Sequence, residues 1–248
     1  SCTGCFGLKP TRGRTFGSDA SKSLPINIIS EGVVTRSVRD TAHFFAGMER
    51  SFQNPKLPAI GLIEHPSGRK LRIGLVPQSI TGQVDEETTA TLYQTAQLLE
   101  NLGHHVSEFK LPIAASFVND FSQYWGFLAF MLQNLGKQAF GPSFNAQELD
   151  NLTLGLAGLY KKNFYKTPAF LFRLKKIQQD YMRMFDHFDV LLSPVLAHTT
   201  PKIGYLSPQL PFDELFERIQ SYVTFTPIQN VAGAPAMSIP MGETKVDE

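Results

Sequence analysis

Between Leu71 and Phe109 the chain reads as strand, helix, strand, an order that restricts its possible folds more than any other stretch. Leu71-Arg-Ile-Gly-Leu-Val76 is a short β-rich apolar run that stops at Pro77. Asp85-Glu86-Glu87 places carboxylates where a helix begins, opposing its macrodipole. Leu92, Ala96 and Leu99 recur at helical spacing with Leu102 behind them, and Gly103 suits the position just past a helix end. His104-His105-Val106-Ser107-Glu108-Phe109 reads as the second strand. Such a unit, with one buried helix face, points to an α/β fold. Adjacent histidines on a strand face opposite ways, so His104 and His105 do not read as a metal pair.

Three further helical stretches follow. Phe117 to Phe140 is apolar almost all round, as expected of a helix that is fully buried or lines an apolar cavity. Gly141-Pro142 breaks it, and Asn145 to Leu159 and Thr167 to Phe185 are helical again. The last carries Phe170, Leu174, Ile177, Tyr181 and Met184 as a stripe, with Pro168 suited to its first turn. Lysines and arginines from Lys161 to Arg183 read as a solvated face. Val190 to Leu192 is an uninterrupted apolar run, expected of a strand covered on both faces.

Net charge decides against whole classes of partner. With 23 basic and 22 acidic residues, no bulk field recruits nucleic acid or an anionic membrane. No apolar run approaches the length of a membrane span. At 248 residues and 42% hydrophobic content, a single globular domain over 1–248 with a sizeable core is expected.

The opening stretch, Ser1-Cys2-Thr3-Gly4-Cys5-Phe6-Gly7-Leu8-Lys9-Pro10-Thr11-Arg12-Gly13-Arg14, is glycine-rich and leaves through a proline. Gly4 and Gly7 permit positive φ or a close backbone approach, and Pro10 biases Lys9 toward an extended conformation. Cys2 and Cys5 have Cys-x-x-Cys spacing. A zinc site would need a second pair or suitably spaced histidines, and a redox dithiol would sit in a βαβ context; neither follows. Two small buried residues under a glycine-rich loop, in a reducing compartment, is the simpler reading.

Phe6-Gly7-Leu8-Lys9-Pro10-Thr11-Arg12-Gly13-Arg14 closely resembles the downstream edge of the amidase signature, the Gly/Ser-rich block of the Ser-Ser-Lys amidases. Further segments are similar in the expected order. Val33-Val34-Thr35-Arg36-Ser37-Val38-Arg39-Asp40 resembles the family's Arg-Ser-Val-Arg-Asp segment, where Arg36, Arg39 and Asp40 are expected to pair and fix a helix. Phe188-Asp189-Val190-Leu191-Leu192-Ser193-Pro194 resembles its Asp-x-Leu-Leu-x-Pro strand. Thr226 to Gly242 matches Thr-x-x-x-Asn-x-x-Gly-x-Pro-Ala-x-x-x-Pro-x-Gly, with Asn230 expected to bond neighbouring backbone and Gly233 and Ala236 to allow close packing.

The resemblance implies a large mixed β-sheet covered by helices on both faces, incomplete here at both ends. It implies hydrolysis of a carbon–nitrogen amide bond by a serine nucleophile, a second serine and a base lysine, without a cofactor or a metal. Those residues and their oxyanion hole would lie before Ser1, so no catalytic residue is assigned to this chain; Lys9 and Ser1 do not occupy the catalytic positions. The chain by itself is expected to be inactive and to stand beside a complementary N-terminal segment, with a homodimer as a further possibility. A cytoplasmic location and a small apolar or cyclic amide substrate complete the expectation. Tyr124, Trp125, Phe127 and Phe130 fall where the family's substrate pocket draws residues and are the candidate substrate-binding residues. Asn27 to Val33 departs from the Leu-Asp-Gln that often precedes the second segment, which weighs against the subgroup amidating glutamyl-tRNA. That subgroup and a non-catalytic scaffold or split half are the alternatives.

Overall fold

The computed structural model describes residues 3–244. In chain order its elements are β1 (Phe6–Lys9), α1 (Asp19–Lys22), β2 (Val33–Thr35), α2 (Val38–Ser51), β3 (Arg72–Leu75), α3 (Glu86–Asn101), β4 (His105–Glu108) and α4 (Ser116–Phe140). They continue with α5 (Asn151–Asn163), α6 (Thr167–Arg183), β5 (Val190–Leu192), α7 (Phe212–Tyr222), α8 (Pro227–Ala232) and β6 (Ala236–Ser238). The architecture is mixed α/β. Its described strands form two three-stranded sheets, one antiparallel in the order β2-β1-β6 and one parallel in the order β4-β3-β5.

The parallel sheet contains the strand–helix–strand unit that the sequence spells out. Asp85 caps α3 by accepting the Thr88 N–H at 2.7 Å, and Gly103 closes its far end at φ +87°. Ile73 and Leu75 of β3 are buried, and Leu92 and Ala96 of α3 pack on Leu75. His104 turns inward, its Nδ1 accepting the Leu71 N–H at 3.1 Å, while His105 on β4 is exposed. β5 differs from expectation. It is the edge strand beside β3, and Val190 is 38% exposed instead of covered on both faces. Its place is fixed by Asp189, which exchanges two bonds with the Arg72 main chain: the Asp189 N–H donates to the Arg72 carbonyl, and its carboxylate accepts the Arg72 N–H, both at 2.8 Å.

Two helix starts also depart from the sequence reading. Among the described residues no ion pair joins Arg36, Arg39 and Asp40; α2 is started by Ser37, whose hydroxyl accepts the Asp40 N–H at 3.1 Å. The expected helix from Asn145 is a 3₁₀ turn over Ala146–Glu148, and α5 begins only after Asp150, which accepts the Thr153 N–H at 2.9 Å. Asn145 and Asp150 each cap their own start, and this second side-chain cap divides the run in two.

The main core gathers α4, α6 and α8. Tyr124, Phe170, Leu174, Ile228 and Val231 are sealed within it. Helices α4 and α5 come close at Gly126, where a Cβ would stand 2.7 Å from the Leu156 carbonyl oxygen.

The connector after α2 is held by one carboxylate. Glu49 accepts the Ile60 N–H at 2.9 Å, the Gly61 N–H at 2.6 Å and a hydrogen bond from Arg14 at 3.1 Å. The N–H groups of Gly61 and Ile60 hold its carboxyl below the usual carboxylate range. A depressed folded value means the contribution is fully present above the unfolded value of about 4.3 and fades as pH falls through the folded one. Replacing Glu49 with Gln should therefore remove stability at neutral pH and flatten its acid-side decline, read from urea midpoints between about pH 7 and pH 3.

Candidate functional site

The Gly-Leu-Lys-Pro segment forms β1, the central strand of the antiparallel sheet. Leu8 pairs with Val33 on one side and Met237 on the other, and Lys9 stands opposite Ala236. Gly4 takes the positive φ expected of it, at +62°. Gly7 does not; it lies in extended strand, and a Cβ there would make only an ordinary 4.0 Å contact with Ser238. Cys5 donates its thiol hydrogen to the Thr3 carbonyl, and Cys2 lies outside the described residues.

Beyond Pro10 the chain is clamped to α8. The Arg12 N–H donates to the Gly233 carbonyl at 3.0 Å, and its guanidinium donates to the carbonyls of Asn230 at 2.9 Å and Val231 at 2.6 Å. These carbonyls end α8 and carry the negative end of its dipole; that of Asn230 also accepts the Gly233 N–H at 3.3 Å. The terminal motif thus works through the main chain of Asn230, where its carbonyl is the group recognised. Arg12 fills the place that the Pro-Thr-x-Gly-Arg pattern leaves open, so motif reading gave no reason to single it out.

Lys9 lies half-buried and donates to the Pro10 carbonyl at 3.2 Å. Burial, reinforced by the positive charge of Arg12, lowers its amine from 10.5 to about 8. A lysine depressed in the folded state opposes folding while it is charged in both states, and this opposition disappears once the unfolded chain has also lost the proton. Stability should therefore rise from pH 8 to pH 10.5. We expect Lys9→Met to flatten that rise, and the Lys9 amine to titrate near pH 8 by side-chain NMR.

The four aromatic candidates on α4 do not share one wall. Tyr124 is fully buried; its hydroxyl donates to the Ile26 carbonyl and accepts the Ile26 N–H at 3.1 Å. Burial raises its phenol, partly offset by that bond and by the nearby Arg12 charge. Phe127 stacks on Tyr124 at 5.9 Å and meets Tyr160 edge-on, and Phe130 lies 5.3 Å from the same Tyr160 ring. Trp125 is half-buried between Phe121 and Phe216 of α7, and with Phe130 it packs on Ala129, Leu156 and Ala157. None of the four lines either of two surface cavities. One is an open apolar groove of about 400 Å³ at Leu132, Phe140, Ser143 and Phe144, and the other is a small gap beside Arg14 and Glu49.

The sequence placed the four on one helix, but which neighbour each ring meets depends on α5 and α7. Asp120 was missed as well. It is 1% exposed and receives Arg173 through two bonds of 2.6 Å. Among the described residues no group of His, Cys, Asp or Glu gathers to hold a metal ion, and no helix is long and apolar enough to cross a membrane.

The family model described as Amidase matches residues 1–248, the whole chain. The chain belongs to the amidase family. The protein named "Putative amidase AmiC" of Mycobacterium tuberculosis is 41% identical over 245 residues, covering 98% of this chain and 52% of that protein. The A-type subunit of glutamyl-tRNA(Gln) amidotransferase from Bdellovibrio bacteriovorus is more distant, 26% identical over 281 residues, covering 99% of this chain and 55% of its own length. The chain thus spans about half the length of the curated relatives it matches. Among solved structures, 6-aminohexanoate cyclic dimer hydrolase in complex with substrate superposes with a TM-score of 0.78 at 24% identity. That likeness covers 98% of this chain and 55% of the hydrolase, and it shows the shared fold.

Proposed function

We propose that this chain forms the C-terminal part of an amidase that hydrolyses the carbon–nitrogen bond of a small apolar or cyclic amide. The observation that carries the reading is the whole-chain family match, joined to 41% identity with a protein named as an amidase. In this reading the serine nucleophile, second serine and base lysine precede Ser1, and this chain alone is inactive. The lysine removes the proton of the serine hydroxyl as it attacks the amide carbon, and backbone N–H groups hold the resulting oxyanion. The reaction needs no cofactor. Greater similarity to the amidase than to the amidotransferase favours hydrolysis over amide transfer to tRNA. A cytoplasmic enzyme is the location that accompanies this reading.

The chain's own contribution is then to hold the exit of the catalytic segment rigid and to supply apolar surface for the substrate. β1 leaves the catalytic block and is fixed by Arg12 on α8. Trp125, Phe127 and Phe130, each partly exposed, are the aromatic groups proposed to meet the substrate. Tyr124 is sealed behind them, and its two bonds to Ile26 give it a part in stability and not in substrate contact.

The test uses the protein at its full natural length. A fluorophosphonate probe should label a serine outside residues 1–248, with loss of hydrolysis across a panel of small amides. Labelling of a serine within the chain, or absence of both labelling and hydrolysis, would overturn the reading. Trp125→Ala and Phe130→Ala should raise KM for apolar amides. Tyr124→Phe should instead lower stability by about 1–3 kcal/mol, because the Ile26 N–H and carbonyl lose a buried partner, and it should leave KM unchanged.

A further inference from the structure

The stretch joining α5 to α6 exposes large aromatic rings among lysines. A 3₁₀ turn over Phe164–Lys166 links the two helices. Phe164 is 64% exposed, Tyr165 66% and Phe172 72%, among the most exposed aromatics in the described chain. From Lys161 to Lys176 there are six basic residues and no aspartate or glutamate. Arg173 is engaged by Asp120, but Lys161, Lys162, Lys166, Lys175 and Lys176 are exposed and form no ion pair among the described residues. Phe172 lies one helical turn from Lys175 and Lys176 on the same side of α6, and the Lys166 ammonium stands 5.6 Å from the Tyr165 ring.

We infer that this patch seats on a bilayer surface carrying anionic phospholipid headgroups. Bulky rings beside long cationic stems suit the headgroup boundary: rings enter the acyl edge, and ammonium groups stay at the phosphates. The complementary charge is local, which is why a net charge of +1 does not reveal it. The contact is peripheral and needs no spanning helix.

The test measures flotation of the full-length protein with vesicles of phosphatidylcholine alone and with an equimolar mixture of phosphatidylcholine and phosphatidylglycerol. The anionic vesicles should bind it, and added salt should weaken binding. Changing Lys161, Lys162, Lys166, Lys175 and Lys176 to Gln should reduce partition by about 1,000-fold or more, at about fivefold per lysine. Phe164→Ser with Phe172→Ser should reduce it by about tenfold for each ring. Both variants change exposed side chains and should melt like the parent; should the ring variant misfold, the lysine variant and the salt series still decide. Binding no stronger to anionic than to neutral vesicles overturns the inference, as does full binding by the lysine variant. It is also overturned if the ring variant dissociates a dimer without affecting vesicle binding, or if the patch retains a single-stranded RNA and no vesicles.

Discussion

Arg173→Met is expected to destabilise the full-length protein by about 2–4 kcal/mol, the range for breaking a buried ion pair reduced for its half-exposed cation. Asp120 is 1% exposed on α4 and accepts both the Nε and Nη2 of Arg173 at 2.6 Å. Methionine keeps an apolar stem on α6 but removes two charge-assisted donors, leaving a buried carboxylate without them. Because the Arg173 side chain is 47% exposed, water can reach the site from that side, and the loss stays below the cost of a fully sealed charge. Combining Asp120→Leu with Arg173→Met should lose less than the two single changes summed, with a coupling of about 0.5–3 kcal/mol. Urea midpoints of the four proteins measure this. Arg173→Met within about 0.5 kcal/mol of the parent would mean that water already satisfies Asp120.

That ion pair also marks where reading the sequence stops. Asp120 and Arg173 sit on different helices, and in the sequence Arg173 belongs to a run of basic residues that reads as a solvated face. Neither residue carries a local signal, because the contact depends on how α4 meets α6. The unit from β3 to β4 was legible for the opposite reason. Asp85, the Leu92 stripe and Gly103 act within a few residues of themselves, and β3 and β4 then pair in parallel as that order predicts. Strand partners at long range were harder. β1 bonds to β6 near the other end of the chain, and nothing local separates the β2-β1-β6 sheet from the β4-β3-β5 sheet. The candidate site was half legible. The Gly-Leu-Lys-Pro and Thr226 to Gly242 motifs led to the two segments that meet, whereas Arg12, the residue joining them, fills an open motif position. On α4, the family resemblance grouped Tyr124, Trp125, Phe127 and Phe130, but only the partners Tyr160 and Phe216 show which neighbours Phe127 and Trp125 meet.

Gly233→Ala should test that junction with a comparable loss, about 2–4 kcal/mol, from two separate causes. Gly233 closes α8 at φ +71° and ψ 14°, a left-handed conformation that costs an L-residue about 1–2 kcal/mol. A Cβ there would also stand 2.8 Å from Arg12 Cζ and 3.0 Å from Arg12 Cβ. The guanidinium can swing away, but only by leaving the Asn230 and Val231 carbonyls at the end of α8. Arg12 Cβ is less free, since the Arg12 N–H is bonded to the Gly233 carbonyl. Gly61 is a matched control, with φ +69° and no atom within 4 Å of its added Cβ, so Gly61→Ala should cost only the conformational part. The difference between the two thermal melts isolates the Arg12 clamp. In an Arg12→Met background the Gly233→Ala loss should shrink toward that of Gly61→Ala, because the guanidinium no longer occupies the space and no longer holds the carbonyls. Equal losses at Gly233 and Gly61 in the parent would mean that Arg12 yields freely, and that β1 is held against the end of α8 by its pairing with β6 alone.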